Sequence, residues 1–289
     1  MKGKDLTDLL IENSKIAALP DIQNQTDIRQ IPIDKVGVKN LKYPIVVKDK
    51  NMELQHTIAT IAMTVDLPKE FKGTHMSRFV EILQSKDREI HVDSIDTILV
   101  EMQKRLKANA SHIEIEFPYF MEKHAPTSGK ASLIDYVAKF HAVRNNDKKD
   151  FILTVKVPVT TLCPCSKNIS KYGAHNQRGE VTVSVRFKDT VWIEDLIEIV
   201  ESSASCELYS LLKREDEKFV TERAYENPVF VEDLVRNIVV RLKENNSIIW
   251  YSVEAENFES IHNHNAYAYI ESHNVFTNGQ PENYMISRY

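Results

Sequence analysis

The chain has 289 residues, of which 42% are hydrophobic and 27% charged, and a net charge of −5. That balance suits a folded core with room for two domains and excludes whole-molecule attraction to a nucleic acid polymer. No stretch approaches the ~18 uninterrupted apolar residues of a membrane helix. Seven glycines form neither a phosphate loop nor a dinucleotide fingerprint. Three cysteines are too few, and odd in number, for a disulfide scaffold. The polar start of the chain lacks the apolar segment of a secretion signal, so a cytoplasmic setting with reduced thiols is expected.

Residues 1–29 read as a leader, helical around Leu6 to Ala18. Pro44–Val47 and Thr57–Val65 read as strands. A helix is expected after Gly73, from Thr74 or Ser77, carrying Phe79, Val80, Ile82 and Leu83. Asp93 is expected to cap a second helix with Ile95, Ile98, Leu99, Met102 and Leu106 on one face. His112–Phe117 alternates with Ile113, Ile115 and Phe117 on one side and predicts a strand. Ala131–Val143 predicts another.

The second half repeats the order. Asp150–Thr160 and Glu180–Phe187 are expected strands, and Ile193–Leu212 and Val231–Leu242 expected helices. Cys206, with Leu208 and Leu211, is read as core on the first of these helices. Ser247–Ala255 and Ala266–Ile270 close the set as strands. Strand, strand, helix, helix, strand, strand thus occurs twice, with helices paired instead of inserted between successive strands. The pattern predicts an α+β fold, antiparallel sheets with paired helices on one face. The expected units are 30–148 and 149–273, with a tail from 274 to 289. Joining exposed edge strands into barrels across subunits would remove those edges.

The segment richest in chemistry runs from Pro158 to Arg178, P-V-T-T-L-C-P-C-S-K-N-I-S-K-Y-G-A-H-N-Q-R. A strand delivers Cys163, Cys165 and His175 into the loop that follows it, and thiolate and imidazole are good ligands for a borderline-soft metal. One proline between the cysteines leaves little freedom for an unstrained bridge. The bland reading is a pair of buried small hydrophobes; polar Ser166, Lys167, Asn176 and Arg178 around them argue against it.

This run resembles the signature of the prokaryotic type IB GTP cyclohydrolases. Four more blocks agree in order: G-T-H-M-S-R-F from Gly73, L-K-R-E-D-E-K from Leu212, V-T-E-R-A-Y-E-N-P-V-F-V-E-D from Val220, and E-S-I-H-N-H-N-A from Glu259. The resemblance covers about residues 30 to 272. It implies tandem tunnelling-fold (T-fold) domains in a homotetramer, with sheets joined into barrels and sites between subunits. It also implies conversion of GTP and water to 7,8-dihydroneopterin triphosphate and formate, the first step of tetrahydrofolate biosynthesis.

Attack of water on guanine C8 needs an activated nucleophile, and a divalent metal supplies one by lowering the pKa of bound water toward ~7. The resemblance makes Cys163, His175 and Glu217 the metal ligands. Read alone, Glu217 is a solvated charge among Arg214, Glu215, Asp216 and Lys218. Manganese, zinc or iron would suit such a set. Glu232 is implied as the anchor of the guanine ring through N1–H and the 2-amino group, although an acidic residue there also suits a helix N-terminus. Glu259 and His262, and after them His264, are implied proton-transfer groups, although loop histidines alone imply nothing. Cys165 is expected near the metal as a reactive thiol, not a ligand. Lys167, Arg178, His75 and Arg78 are candidates to neutralise the triphosphate.

Three rivals stand beside this reading. The nitrile reductase of queuosine synthesis would need an E-S-K-S-x-K motif, and here Glu259-Ser260 is followed by Ile261-His262. A non-catalytic metal- or purine-binding protein would bind without turnover. A structural zinc module would have a fourth protein ligand in place of water.

Overall fold

The computed structural model describes residues 21–23, 25–85 and 90–272. The expected helix at Leu6–Ala18 and the tail from 274 lie outside the described residues. Eight strands, β1 (Ile33–Lys48), β2 (Leu54–Leu67), β3 (Ala110–His124), β4 (Ala131–Asn145), β5 (Lys148–Leu162), β6 (Asn176–Phe187), β7 (Ile248–Asn257) and β8 (Ala266–Glu271), pair antiparallel in chain order as one sheet. The described helices are α1 (Met76–Gln84), α2 (Val92–Leu106), α3 (Pro164–Ile169), α4 (Ile193–Glu201), α5 (Arg214–Glu226) and α6 (Val231–Glu244).

The expectation of tandem domains, each with its own barrel-forming sheet, is corrected by the pairing of β4 with β5. Their register runs from Val137↔Lys156 to Asn145↔Lys148, so the two halves of the chain share one continuous sheet. The hairpin that joins them has only Asn146 and Asp147 between its strands, with Asn146 at φ 50°. A positive φ at the first position of a two-residue loop is what a tight hairpin asks for, and asparagine accepts it. The antiparallel arrangement and the single helical face hold.

One face of the sheet is apolar because alternate residues are. Ile113, Ile115, Phe117 and Tyr119 on β3 and Val155, Val157 and Val159 on β5 are almost fully buried with Val181, Val183 and Val185 on β6. The helices cover this face with Ile95, Ile98 and Met102 from α2, Leu196 and Ile197 from α4, and Leu234 and Ile238 from α6. Fully burying such a side chain contributes about 1.5–3 kcal/mol, so this layer dominates the favourable side of folding. The residues between them form a polar second face. It carries Glu114 paired with Lys139 at 2.6 Å, Thr154 hydrogen-bonded to Ser184 at 2.8 Å, and Lys156 beside Glu180 at 3.3 Å.

Two helix boundaries differ from expectation. His91, not Asp93, caps α2: its ring accepts from the Ser94 backbone N–H, while Ser94 Oγ accepts from the His91 N–H. The helix expected over Ile193–Leu212 ends at Glu201. Ser203 Oγ donates back to the Ile199 carbonyl, and Ser205 Oγ accepts from Leu162 N–H. Ser203 thus bonds back onto the last turn of the helix, while Ser205, whose N–H also donates to the Thr160 carbonyl, ties the chain that follows to β5. Cys206 is buried, as expected of a core residue, but on this non-helical segment, where it bridges to Thr160.

Candidate active site

A cleft of about 280 Å³ opens where β5 and β7 end and β6 and α6 begin, lined by Cys163, His175, Glu232, Asn257, Glu259 and His262 among others. Each arrives there for a local reason. Cys163 follows the last residue of β5 and caps α3, its Sγ accepting from Ser166 N–H at 3.4 Å, with Pro164 in the first turn, where a missing N–H costs nothing. Cys163 N–H donates to the His175 carbonyl at 3.1 Å, and His175 N–H to Ser166 Oγ at 3.2 Å. Three backbone-anchored residues thereby hold thiol and imidazole at one mouth.

Glu232 stands in the first turn of α6, where the helix dipole favours an anion. Val229 N–H donates to the Leu162 carbonyl at 3.1 Å and ties this turn to the end of β5. Phe258 N–H donates to the Arg178 carbonyl at 2.9 Å, carrying the β6–β7 ladder one step past its last pair toward Glu259. Glu259 Oε2 lies 3.8 Å from His175 Nδ1, both side chains largely shielded at 11% and 14% exposure. The His262 and His264 rings stack at 5.1 Å between centroids.

The structure therefore brings together Cys163, His175, Glu232, Glu259, His262 and His264. It does not bring the other candidates to the cleft. Cys165 is exposed on α3. Lys167 Nζ donates to the Tyr225 carbonyl and lies over the Tyr225 ring. Arg178 is exposed and alternates along β6 with Gln177 and Gly179, which puts it on the polar face. His75 sits at the head of α1 with its Nε2 3.2 Å from Asp21, and Arg78 of α1 donates to the Arg105 carbonyl. Glu217 is exposed on α5 and lines no part of the cleft.

Thiol and imidazole in one cleft fit the donor chemistry of a transition metal. Among the described residues, however, no three His, Cys, Asp or Glu side chains are grouped to hold an ion. A complete three-ligand centre is therefore not what the described part of one chain offers.

Sequence reasoning missed three lining or supporting groups. Gln177 and Asn257 line the cleft, both buried, and Gln177 Nε2 donates to fully buried Thr161 Oγ1 at 2.8 Å. The signal was present for Gln177: the alternation of β6 puts it on the same face as Val181 and Val183, and a buried amide two residues from His175 needs a partner.

A model of the family described as type I GTP cyclohydrolase FolE2 matches residues 19–268. The chain belongs to that family. A protein of Syntrophus aciditrophicus named GTP cyclohydrolase FolE2 is 61% identical over 251 residues, covering 87% of this chain and 98% of its own. One of Geotalea uraniireducens with the same name is 60% identical over 253 residues, covering 88% and 93%. The activity is accordingly that of a GTP cyclohydrolase. Among solved structures, a uricase from Bacillus fastidious aligns over 83% of this chain and 93% of its own, with a TM-score of 0.51 and 8% identity. That likeness is one of fold alone.

Proposed function

We propose that the cleft between β5, β6, β7 and α6 is where GTP and water become 7,8-dihydroneopterin triphosphate and formate, in the cytoplasm and at the head of tetrahydrofolate synthesis. The observation that carries this reading is the convergence of Cys163, His175, Glu232, Glu259 and His262 on one cleft from three separated segments of a chain in this family. Glu232 would accept hydrogen bonds from guanine N1–H and the 2-amino group, which a carboxylate matches with its two oxygens. Glu259 and His262 would move the protons that ring opening and formate loss require, with His264 stacked behind His262.

Cys163 and His175 would hold a divalent metal, manganese, zinc or iron, which when bound supplies a water acidic enough to ionise near neutral pH. Glu217 would complete that set only after entering the cleft, since α5 now leaves it exposed. Cys165, beside Cys163 on α3, would be an accessible thiol near the site. A homotetramer is the proposed assembly.

The test is an assay of formate release and of the fluorescent pterin formed after oxidation, with metal-reconstituted protein and GTP. Chelator-treated protein and Cys163→Ala run beside it. Formate and pterin together, absent in both controls, support the reading. No turnover with manganese, zinc or iron overturns it.

A further inference from the structure

The geometry points to Gln177 as a positioning residue that sets which nitrogen of His175 faces the cleft with a free lone pair. His175 Nδ1 lies 3.0 Å from Gln177 Oε1. A neutral imidazole has one donor and one acceptor nitrogen, and the partner at one nitrogen decides the role of the other. An amide by itself leaves the question open, because it could turn and donate instead. Two further contacts close it.

Glu259 Oε2 stands 3.8 Å from the same Nδ1. A lone pair on Nδ1 would face this anion, whereas a proton there is attracted to it. Nδ1 therefore carries the hydrogen, and Gln177 must present its oxygen. Its amide nitrogen is then directed away, and Thr161 Oγ1 accepts from it at 2.8 Å. Thr161 is fully buried and Gln177 is 8% exposed. With no water to compete, turning the amide would put its N–H against the Nδ1 proton. That leaves a buried donor unsatisfied, which is costly.

The chain Thr161–Gln177–His175 consequently holds the ring with Nε2 bare. Nε2 is the atom then left to accept a proton or bind an electrophile. The residues lie in register for this: Thr161 and Gln177 pair across β5 and β6, and His175 directly precedes β6, two residues before Gln177. Gln177 itself need touch neither substrate nor metal.

The inference deepens the cyclohydrolase reading, but its first test does not rest on it. Full-length protein labelled with ¹⁵N-histidine is measured at about pH 8, where an ordinary imidazole is neutral. The His175 signals are identified by their loss in His175→Asn. The expected result is a protonated Nδ1 and a bare Nε2 in the parent protein. Gln177→Leu should release the ring toward a mixture with Nε2–H, and Thr161→Val should cause a smaller shift in the same direction. Formate release should fall about tenfold in Gln177→Leu, the lower end of what loss of an outer partner costs a ligating histidine. KM for GTP should stay within about twofold. Protonated Nε2 in the parent, or an unchanged tautomer in both variants, overturns the assignment. A parent protein that shows the expected tautomer but releases no formate instead defeats the reaction assignment and leaves the role of Gln177 standing.

Discussion

Gly179 and Asn257 face each other across β6 and β7, and a methyl group on Gly179 would stand 2.7 Å from Asn257 Oδ1. The same methyl would lie 3.3 Å from the Glu256 carbonyl oxygen, so the space is bounded by backbone as well. Gly179 has no unusual dihedral requirement; what fixes it is the asparagine lying over it. Asn257 is 2% exposed, lines the cleft, and among the described residues its Oδ1 has no hydrogen-bond partner. Gly179→Ala should therefore displace the floor of the cleft. We expect a loss of about 1–3 kcal/mol in urea unfolding, typical of overpacking, and a fall in formate release. Adding Asn257→Ala should restore most of the lost stability, because the two changes share one space. Additive losses in the double variant would show that Gly179 matters for another reason.

Asn257→Leu isolates the orphaned acceptor from the packing. Leucine repeats the branched skeleton of asparagine, with bulkier methyl ends and nothing to leave unpaired. Replacing a buried, unsatisfied acceptor with an apolar group of similar shape is neutral or stabilising. The thermal midpoint should hold or rise, and a clear drop would mean that Oδ1 has a partner in solution.

Much of this architecture is readable in the sequence where alternation is strict. Ile113, Ile115 and Phe117 announce β3, and Val181, Val183 and Val185 announce β6. The first half of β1 is hidden because register shifts between Ile33 and Val36 and between Val38 and Leu41 interrupt the two-residue period. The joining of the halves is hidden by Arg144, Lys148 and Lys149, whose charge makes the ends of β4 and β5 look like loop. In the cleft, Cys163, His175, Glu232 and Glu259 are legible through their motifs. Gln177 and Asn257 are not, because an amide carries no chemical signature until its burial is known. Within L-K-R-E-D-E-K the sequence draws attention to Glu217, yet the neighbour Asp216 is the buried one.

Asp216 accepts from Thr127 N–H and Ser128 N–H at 2.8 Å, from Ser128 Oγ at 2.7 Å, and from Lys213 N–H at 2.8 Å. It thus fastens the β3–β4 turn to the head of α5. Burial pushes its pKa up, but the hydrogen bonds from Ser128, Lys213 and Thr127 outweigh that and hold it well below the usual carboxylate range. Asp216→Asn keeps the shape but points an NH₂ group at donors. It should lower the thermal midpoint more than Asp135→Asn on the exposed side of β4, and equal midpoints would remove Asp216 from this role.

Glu232→Gln tests the anchor role without disturbing the fold. The side chain is exposed in the first turn of α6, so unfolding should change by no more than about 0.5 kcal/mol. Its amide offers one acceptor where guanine presents two donors, and a mispaired donor costs roughly 1–3 kcal/mol. We expect kcat/KM for GTP to fall at least about tenfold, with Asp233→Asn nearly silent. Equal kinetics in both variants would remove Glu232 from the site.

Acid sensitivity should come from the opposite face of the sheet. His141 stands opposite Glu114 in the β3–β4 register, and His112 lies one alternation further along β3. Burial, with Lys35 adding to it, pushes the His112 pKa down to about 4 against Asp66 and Glu114. Burial likewise pushes His141 to about 4, the opposing pull of Glu114 being outweighed with help from Lys139, Lys35 and His112. Among the described residues, Nδ1 of His112 and Nε2 of His141 are buried without hydrogen-bond partners, consistent with rings kept neutral. The unfolded chain takes up protons near pH 6.5 that the folded chain refuses until about 4. Stability from this pair is therefore complete above about 6.5, declines as pH falls toward 4, and is flat below. Glu114, itself held below its ordinary value, contributes only at lower pH. Allowing for partial solvent screening, the pair should account for on the order of 1–2 kcal/mol between pH 7 and 4.5. Urea midpoints across that range should slope for the parent protein and flatten in His112→Gln/His141→Gln. An unchanged slope would place the acid-sensitive groups elsewhere.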